Sequence, residues 1–504
     1  MRSILPPAMA RKPKIEVHLE SNSNEFTIGD RIHGKVVIES SYAETHFDTI
    51  EIKLMGQSKT FVDLMSALPG HQEISKSSQT FLTLRQPGLE ARYPLDRTFQ
   101  RETTYDFPFE FVVPKRLVDG SCGHQIASPA VREAHLALPP SFSRHDSVGK
   151  GGEVDATVPE TTIINYGISA TIFKSKKLNA SKGPTTLATV WREILVVPCT
   201  DTALPTDINK TTRGAAPSDH CLRAVKKMSK GIIRSSLGTV TVEATQPKCL
   251  KLKRREDEGA THRFCTVPVN VMLHFDNKNR STAEAPQVSK ITSRLEVNTF
   301  YTSSNHQDLP QKNDSVCDRN RRVYTKHLPS TSFNPEKVVW QTAKTQSKDD
   351  LSPEPAHMEI KEPTADTPSP PNSSSQTADL LVPVSIPVPT TLVPTFHSCL
   401  ISRTYILETS IKLTSQGCTR TANLRLPLQI SADMDDHFAD LSVEEEMAMD
   451  VLLPGYFDGG YSGLADANQA YEELAARDME DEFLSQQIAS LACADSPPAY
   501  CIYL

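Results

Sequence analysis

Hydrophobic and polar residues alternate with a period of two in a series of short segments along the first part of the chain. Apolar side chains two positions apart fall on the same face of a strand, so each segment predicts a strand that buries one face. Gly, Pro, Asn, Asp or Ser bounds each segment, as is typical of antiparallel strands joined by turns. The aligned positions are Ile15, Val17 and Leu19; Ile32, Gly34, Val36 and Ile38; Ile50, Ile52 and Leu54; Tyr105, Phe107, Phe109 and Phe111; and Ile164, Tyr166, Ile168, Ala170 and Ile172.

A second set of strand patterns follows a loop predicted at about residues 200–220. Its clearest members align Val267, Val269, Val271, Leu273 and Phe275, and later Tyr405, Leu407, Thr409, Ile411 and Leu413. No helical pattern of similar strength occurs before about residue 440. The sequence therefore predicts an all-β fold of two tandem antiparallel immunoglobulin-like β-sandwiches, which we place at residues 11–205 and 221–432. Pro108 predicts an edge or a bulge for its strand, because proline cannot donate to a central ladder.

Several segments have too few apolar residues to form a core. Residues 341–380 are rich in Pro, Ser, Thr, Asp and Lys, which predicts a disordered insertion in the second sandwich. Residues 139–160 and 303–320 have a similar composition over shorter lengths. We predict a largely disordered acidic tail at 433–504, with one amphipathic helix at about 466–492.

Composition sets limits on compartment and chemistry. Hydrophobic residues make up 38 % of the 504 residues, and there are 36 prolines. No run approaches the roughly 20 apolar residues that span a bilayer, and the first residues lack a signal-peptide core, so we expect a cytoplasmic protein. The ten cysteines are scattered without a Cys-x-x-Cys pair, which predicts reduced thiols, no metal site and no cofactor.

Charge is distributed unevenly along the chain. From Ser431 onward there are about 17 acidic residues and one basic residue, Arg477, so this part carries a charge of about −16. Because the net charge of the whole chain is −7, the preceding residues carry about +9. Two basic clusters open the second sandwich and are candidates for contact with acidic protein segments or anionic lipid; solvated strand faces are the alternative. They consist of Arg223, Lys226, Lys227 and Lys230, and of Lys251, Lys253, Arg254 and Arg255. No recognition helix accompanies them, so we expect no nucleic-acid partner.

The order of these segments resembles an arrestin, and the layout resembles a fungal α-arrestin, or arrestin-related trafficking adaptor. The resemblance rests on the Gly29-Asp30 turn, the Ile-x-Gly-x-Val strand at 32–36, a strand that ends at Gly56 and the segment "YDFPFEFVVP". The segment that begins "LLVPVSIPVP" and the later "LRLPLQI" are similar to the closing strands of an arrestin C-domain. The likeness covers about two thirds of the chain and rests on order and spacing. It implies two antiparallel sandwiches joined by a short hinge.

The last residues contain the stretch Ser-Pro-Pro-Ala-Tyr. Paired prolines favour an extended polyproline II conformation, which loses little entropy on binding an aromatic groove. Pro497, Pro498 and Tyr500 match the PPxY motif through which α-arrestins recruit WW-domain HECT ubiquitin ligases, so the resemblance implies the same role here. Leu453, Pro454 and Tyr456 form a degenerate LPxY version, for which a simple Pro-Gly turn is the alternative. If both bind, a ligase with two WW domains gains avidity.

The resemblance implies an adaptor that links plasma-membrane transporters or receptors to the ligase and promotes their ubiquitylation and endocytosis. Such an adaptor is recruited peripherally to the plasma membrane or endosomes. The sequence contains none of the nucleophile-elbow, P-loop or zinc-protease motifs, so we do not expect an enzyme. The alternative function is an arrestin-like signalling or endosomal sorting scaffold that does not depend on ligase docking.

Overall fold

The computed structural model describes residues 12–21, 23–40, 44–64, 73–144, 156–174, 185–199, 220–230, 235–252, 262–277, 284–342 and 374–433. The chain divides into two compact units, Met1–Asp440 and Leu441–Leu504. The second unit, the predicted helix at 466–492 and almost all of the predicted tail lie outside the described residues. No helix in the described part of the chain is long and apolar enough to cross a membrane.

The first half of the described chain contains ten strands in three sheets. The strands are β1 (Lys14–Leu19), β2 (Glu25–Phe26), β3 (Arg31–Glu39), β4 (Thr45–His46), β5 (Thr49–Leu64), β6 (Glu73–Arg85), β7 (Thr98–Phe99), β8 (Thr104–Val112), β9 (Thr162–Lys174) and β10 (Thr185–Val196). The sheet orders are β1-β3-β8, β2-β10-β9-β5-β6 and β4-β7. Two 3-10 helices, Leu89–Arg92 and Asp119–Ser121, and helix α1 (Pro129–Leu136) lie in the connections.

The second half of the described chain contains thirteen strands, also in three sheets. They are β11 (Arg223–Lys230), β12 (Ser235–Ala244), β13 (Leu250–Leu252), β14 (His262–Asn277), β15 (Gln287–Thr302), β16 (Arg321–His327), β17 (Thr331–Phe333), β18 (Gln341–Thr342), β19 (Ser374–Pro389), β20 (Phe396–His397), β21 (Ile401–Ser415), β22 (Cys418–Leu428) and β23 (Ile430–Ala432), with helix α2 (Asp314–Cys317) before β16. The sheet orders are β11-β12-β14-β19-β18, β16-β15-β21-β20 with β17 on β15 and β22 on β21, and β13-β23. The structure confirms the predicted all-β, arrestin-like sandwich fold.

Burial follows the predicted alternation. In β3, Ile32, Val36 and Ile38 are buried while His33 and Lys35 are exposed, because neighbouring side chains of a strand point to opposite faces. The aligned residues of β9, β14 and β21 are likewise buried. Strand β8 lies at the edge of its sheet, which confirms the position expected from its proline.

Gly34 is required by the packing of the first sheet. A Cβ atom at this position would lie 2.4 Å from the carbonyl oxygen of His18 and 2.5 Å from Cζ of Phe109. The neighbouring strand β1 and the ring of β8 therefore occupy the space that any other side chain would need. This close approach explains the glycine within the Ile-x-Gly-x-Val pattern.

The structure contradicts three loop predictions in part, at the residues that it describes. The ends of the predicted 341–380 insertion form β18 and the start of β19, which pair with each other; residues 343–373 lie outside the described residues. Residues 303–320 are held by backbone hydrogen bonds, such as that from the N–H of His306 to the carbonyl of Cys399 (2.7 Å). Residues 139–144 are likewise tied to strands, since Tyr166 donates to the carbonyl of Pro139 (2.5 Å). Apolar composition underestimates order in segments that are held by hydrogen bonds.

Helix α1 was not predicted because its eight residues are too few to show a clear apolar period. The signals for its start are nevertheless present in the sequence. Pro129 occupies the first turn, and the Ser128 hydroxyl accepts a hydrogen bond from the N–H of Val131 (3.4 Å).

The ends of the two halves meet. Cys199 follows the last strand of the first half, and Asp433 follows the last strand of the second. The Cys199 thiol donates to the carbonyl oxygen of Asp433 at 3.2 Å. The N–H of Asp433 donates to the carbonyl of Leu252 (2.7 Å), which fixes this point against β13.

Candidate functional site

The two halves contact each other through a buried arginine. Arg403 of β21 is 1 % exposed, and its guanidinium donates to the carbonyl oxygen (2.7 Å) and the hydroxyl (2.6 Å) of Thr157 in the first half. Within the second half it donates to the hydroxyls of Thr299 (2.5 Å) and Tyr405 (3.2 Å). Its guanidinium carbon lies 5.4 Å from the centre of the Phe142 ring, at cation–π distance. The arginine therefore fixes the relative position of the two halves by directed hydrogen bonds.

A second contact between the halves brings together two cysteines and two histidines. Cys122 and His124 lie in the loop before α1, His135 lies on α1, and Cys399 lies between β20 and β21. The Cys122 sulfur is 3.2 Å from Nε2 of His124, 3.6 Å from Nδ1 of His135 and 3.5 Å from the Cys399 sulfur. The four donor atoms all lie within 4.8 Å of one another. We call these four residues the Cys2His2 cluster.

Burial favours the uncharged form of two residues of this cluster, His135 and Cys399. It lowers the pKa of His135 to about 4, with a smaller contribution from His124. It also raises the pKa of the Cys399 thiol to about 12, with a further contribution from Cys122. Neutral imidazoles are the form of histidine that binds metal ions, whereas the thiols need a cation to lose their protons.

A group of acidic residues in the second half is already neutralised by protein cations. Glu296 is 3 % exposed, and its carboxylate contacts Lys312 (2.7 Å) and Arg425 (2.9 Å). Glu408 contacts Arg425 and Arg294, and His327 lies between the two carboxylates. Burial alone raises the pKa of Glu296, but hydrogen bonds from Lys312, Asn298 and Arg425 outweigh it and lower the pKa to about 2. This arrangement is a buried ion network, which leaves little need for a metal ion.

The predicted basic clusters lie in separate sheets. Arg223, Lys226 and Lys227 lie on the edge strand β11, where Arg223 pairs with Glu243 (2.7 Å) and the side chains of Arg223 and Lys227 are exposed. The backbone of Lys230 ends the same strand. Lys251 lies on β13, which pairs with β23. Lys253, Arg254 and Arg255 lie outside the described residues.

Both WW-ligand motifs lie outside the described residues. These are Pro497, Pro498 and Tyr500, and the segment Leu453, Pro454 and Tyr456. The structure therefore leaves their roles as predictions.

The Cys2His2 cluster was missed because its members are far apart in the sequence and contain no Cys-x-x-Cys pair. All cysteines in the described part of the chain are free, and their redox state stays a prediction. One signal was present: each of the two cysteines has a histidine two positions away, at His124 and at His397.

Residues 304–432 match the family model described as Bul1 C terminus. The matched segment begins just before His306 and ends with β23, and it contains Cys399, Arg403 and Arg425. No curated protein matches the chain. The Bul1 C terminus is a domain of arrestin-related adaptor proteins, so the match supports the predicted resemblance at that level without singling out the α-arrestin branch.

Proposed function

We propose that this protein is an adaptor that links plasma-membrane transporters or receptors to a WW-domain HECT ubiquitin ligase. The C-terminal PPxY motif binds the ligase, and the two β-sandwiches bind the cargo. The outcome is ubiquitylation of the cargo and its endocytosis. The adaptor itself performs no catalysis and requires no cofactor for this role.

The observation that carries the proposal is the position of Pro497, Pro498 and Tyr500 in a chain whose residues 304–432 match the Bul1 C terminus. The Bul1 family is associated with HECT ubiquitin ligases. A PPxY segment offers the proline pair to a groove between two aromatic side chains, and the tyrosine ring and hydroxyl to the neighbouring pocket. The motif lies well beyond β23, the last described strand of the body.

The body of the adaptor is the proposed cargo-binding part. Arg223 and Lys227 are exposed on an edge strand, where they can attract an acidic cytosolic segment or anionic lipid headgroups. The pairing of Arg223 with Glu243 reduces its free charge, so we assign the larger share of this attraction to Lys227. Peripheral recruitment to the plasma membrane or endosomes follows from cargo binding in this proposal.

The first experiment measures ligase docking with peptides that span residues 490–504. We expect the natural peptide to bind WW domains in the micromolar range, and Tyr500→Ala to abolish binding. Tyr503→Ala is the matched control, since it removes a tyrosine three positions away and should leave affinity unchanged. In the full chain, Tyr500→Ala should abolish cargo ubiquitylation in cells, whereas Tyr503→Ala should leave it unchanged.

The LPxY segment is tested with Tyr456→Ala in the full chain. If both motifs engage one ligase, this substitution weakens binding to a pair of WW domains in tandem but leaves binding to a single WW domain unchanged. Failure of every peptide to bind any WW domain would contradict the ligase-adaptor proposal. In that case the scaffold that does not depend on ligase docking becomes the better description.

A further inference from the structure

We propose that Cys122, His124, His135 and Cys399 bind one zinc ion, which joins the two halves of the body. Two thiolates and two imidazoles form one of the usual donor sets of structural zinc sites. Three of these donors come from the first half and the fourth comes from the second. The site is independent of the ligase-docking proposal, because none of its members lies in the tail.

The distances from the Cys122 sulfur to the other three donor atoms are close to those of tetrahedral zinc. Bond lengths of about 2.3 Å to sulfur and about 2.0–2.1 Å to nitrogen place the ligand atoms of a tetrahedral site about 3.3–3.8 Å apart. The Cys122 sulfur lies 3.2, 3.6 and 3.5 Å from the other three donor atoms. A metal ion can therefore occupy the centre of the cluster with small movements of the side chains.

The surroundings orient the ligands. Nδ1 of His124 lies 3.0 Å from the carbonyl oxygen of Gln125. The carbonyl can only accept, so Nδ1 carries the proton and the lone pair of Nε2 faces Cys122. Gln79 donates to the carbonyl of Ser121 (2.8 Å), the residue before Cys122. Such outer contacts are typical of metal ligands.

Two further buried histidines have ring nitrogens without hydrogen-bond partners in the described part of the chain. In His306 and in His397, this holds for both ring nitrogens. His397 is the last residue of β20, two residues before the proposed ligand Cys399. Unpaired buried imidazoles are unfavourable, whereas polar groups around a bound metal ion are common.

Binding of zinc leaves the buried site without net charge. When Zn²⁺ binds, four metal–ligand bonds form, and the Cys122 and Cys399 thiols each release a proton to solvent. The product, one dication with two thiolates and two neutral imidazoles, carries no net charge in a buried site. The ion closes a link between residues far apart in sequence, so its binding stabilises the contact between α1 and the β20–β21 connection.

The test uses the full chain, purified without a metal-affinity tag, and measures zinc by elemental analysis. We expect one zinc ion per chain. Cys122→Ser, Cys399→Ser and His124→Gln should lower the content at least tenfold. Cys317→Ser, Cys418→Ser and His18→Gln are matched controls that change an exposed cysteine, a buried cysteine and an exposed histidine outside the cluster, and they should retain the metal.

Because the cysteine variants can fail to fold, the natural chain provides a second measurement. Stripped protein loaded with Co²⁺ should show the intense visible bands of tetrahedral cobalt and a thiolate-to-cobalt charge-transfer band. Removal of zinc with a chelator should lower the Tm by more than about 5 °C, and added Zn²⁺ should restore it. Titration with Zn²⁺ at near-neutral pH should release close to two protons per ion.

Three results would overturn the proposal. The first is a chain that takes up neither Zn²⁺ nor Co²⁺ when one equivalent is added. The second is zinc that persists in Cys122→Ser and Cys399→Ser but is lost in a control. The third is a disulfide between Cys122 and Cys399 in freshly purified protein, identified by peptide mass under non-reducing conditions.

Discussion

The interior of the first half is rich in aromatic side chains, whereas that of the second half is mostly aliphatic. In the described residues the buried aromatic side chains of the first half are Phe26, Phe47, Phe81, Phe99, Phe107, Phe109, Phe111, Phe142 and Tyr166, and those of the second half are Phe275, Phe300, Phe396 and Tyr405. Valine, isoleucine and leucine from β12, β14, β19, β21 and β22 fill the core of the second half. Burial of a few large rings concentrates stability in few positions, whereas many small contacts distribute it.

The two halves also differ in the burial of their ion pairs. The first half has ion pairs on exposed strand faces, such as Lys35 with Asp106 (2.8 Å), in which each side chain is about half exposed. The second half buries Glu296 with Lys312 and Arg425. Exposed pairs contribute little to stability because water screens them, whereas disruption of a buried pair leaves an uncompensated charge. The core of the first half therefore contains more aromatic packing, and the second half adds a buried charge network.

The largest effect is expected from a substitution in the aromatic core of the first half. Phe111→Ala removes a fully buried ring and should lower the free energy of unfolding by about 3–5 kcal/mol. Val269→Ala in the second half removes much less apolar volume and should cause a smaller loss. Hydrogen exchange should locate the first effect in β3 and β8 and the second in β12, β14 and β19. Equal losses would contradict the concentration of stability in the aromatic half.

The next largest effect is expected in the pH dependence of stability, which reports on the buried charge network. The pKa of Glu296 is lowered to about 2 in the folded state, so its contribution to stability is complete above the unfolded-state value of about 4.5 and is lost as the pH falls toward 2. This contribution is on the order of 3 kcal/mol. Glu296→Gln should therefore destabilise the protein at pH 7 and flatten the dependence of stability on pH between about 5 and 2. Chemical denaturation at several pH values measures both, with Glu243→Gln, an exposed-pair residue, as the control.

A smaller effect tests the contact between the halves. Thr157→Val keeps the shape of the side chain but removes the hydroxyl that accepts from Arg403 (2.6 Å). A buried donor without its acceptor lowers stability by about 1–3 kcal/mol. Because this contact joins the halves, the substitution should increase hydrogen exchange around both Thr157 and Thr299. An increase confined to one half would show that Arg403 does not couple them.

The smallest effect is expected from a substitution in an exposed ion pair. Asp106→Asn removes the partner of Lys35 and should change stability by less than about 1 kcal/mol, with the remaining effect reduced further by salt. Thermal unfolding at low and high salt measures this. A loss comparable to that of Glu296→Gln would remove the contrast between the halves.

Sequence patterns predicted the elements whose residues are neighbours in the chain. The alternation in β8 placed Phe107, Phe109 and Phe111 on one face, because side-chain direction within a strand depends only on a period of two. The two-sandwich architecture followed from the number and order of such strands. The division into residues 11–205 and 221–432 stays a prediction.

Contacts between distant residues could not be predicted in this way. Cys122 meets Cys399, and Glu296 meets Arg425, only after the sheets have formed. Neither pair shows a local spacing, because its members lie on different strands or loops. The short helix α1 and the ordered segment at 303–320 were missed for a related reason, since capping and backbone hydrogen bonds hold them rather than an apolar period.

The hydrogen bond between Cys199 and Asp433 also has a consequence for the segments that follow these two residues. Residues 200–219 follow Cys199, and residues 434–504, which contain both predicted WW-ligand motifs, follow Asp433. The points from which the two segments are tethered are therefore adjacent. In the proposed function, the tether of the ligase begins beside the connection between the two halves.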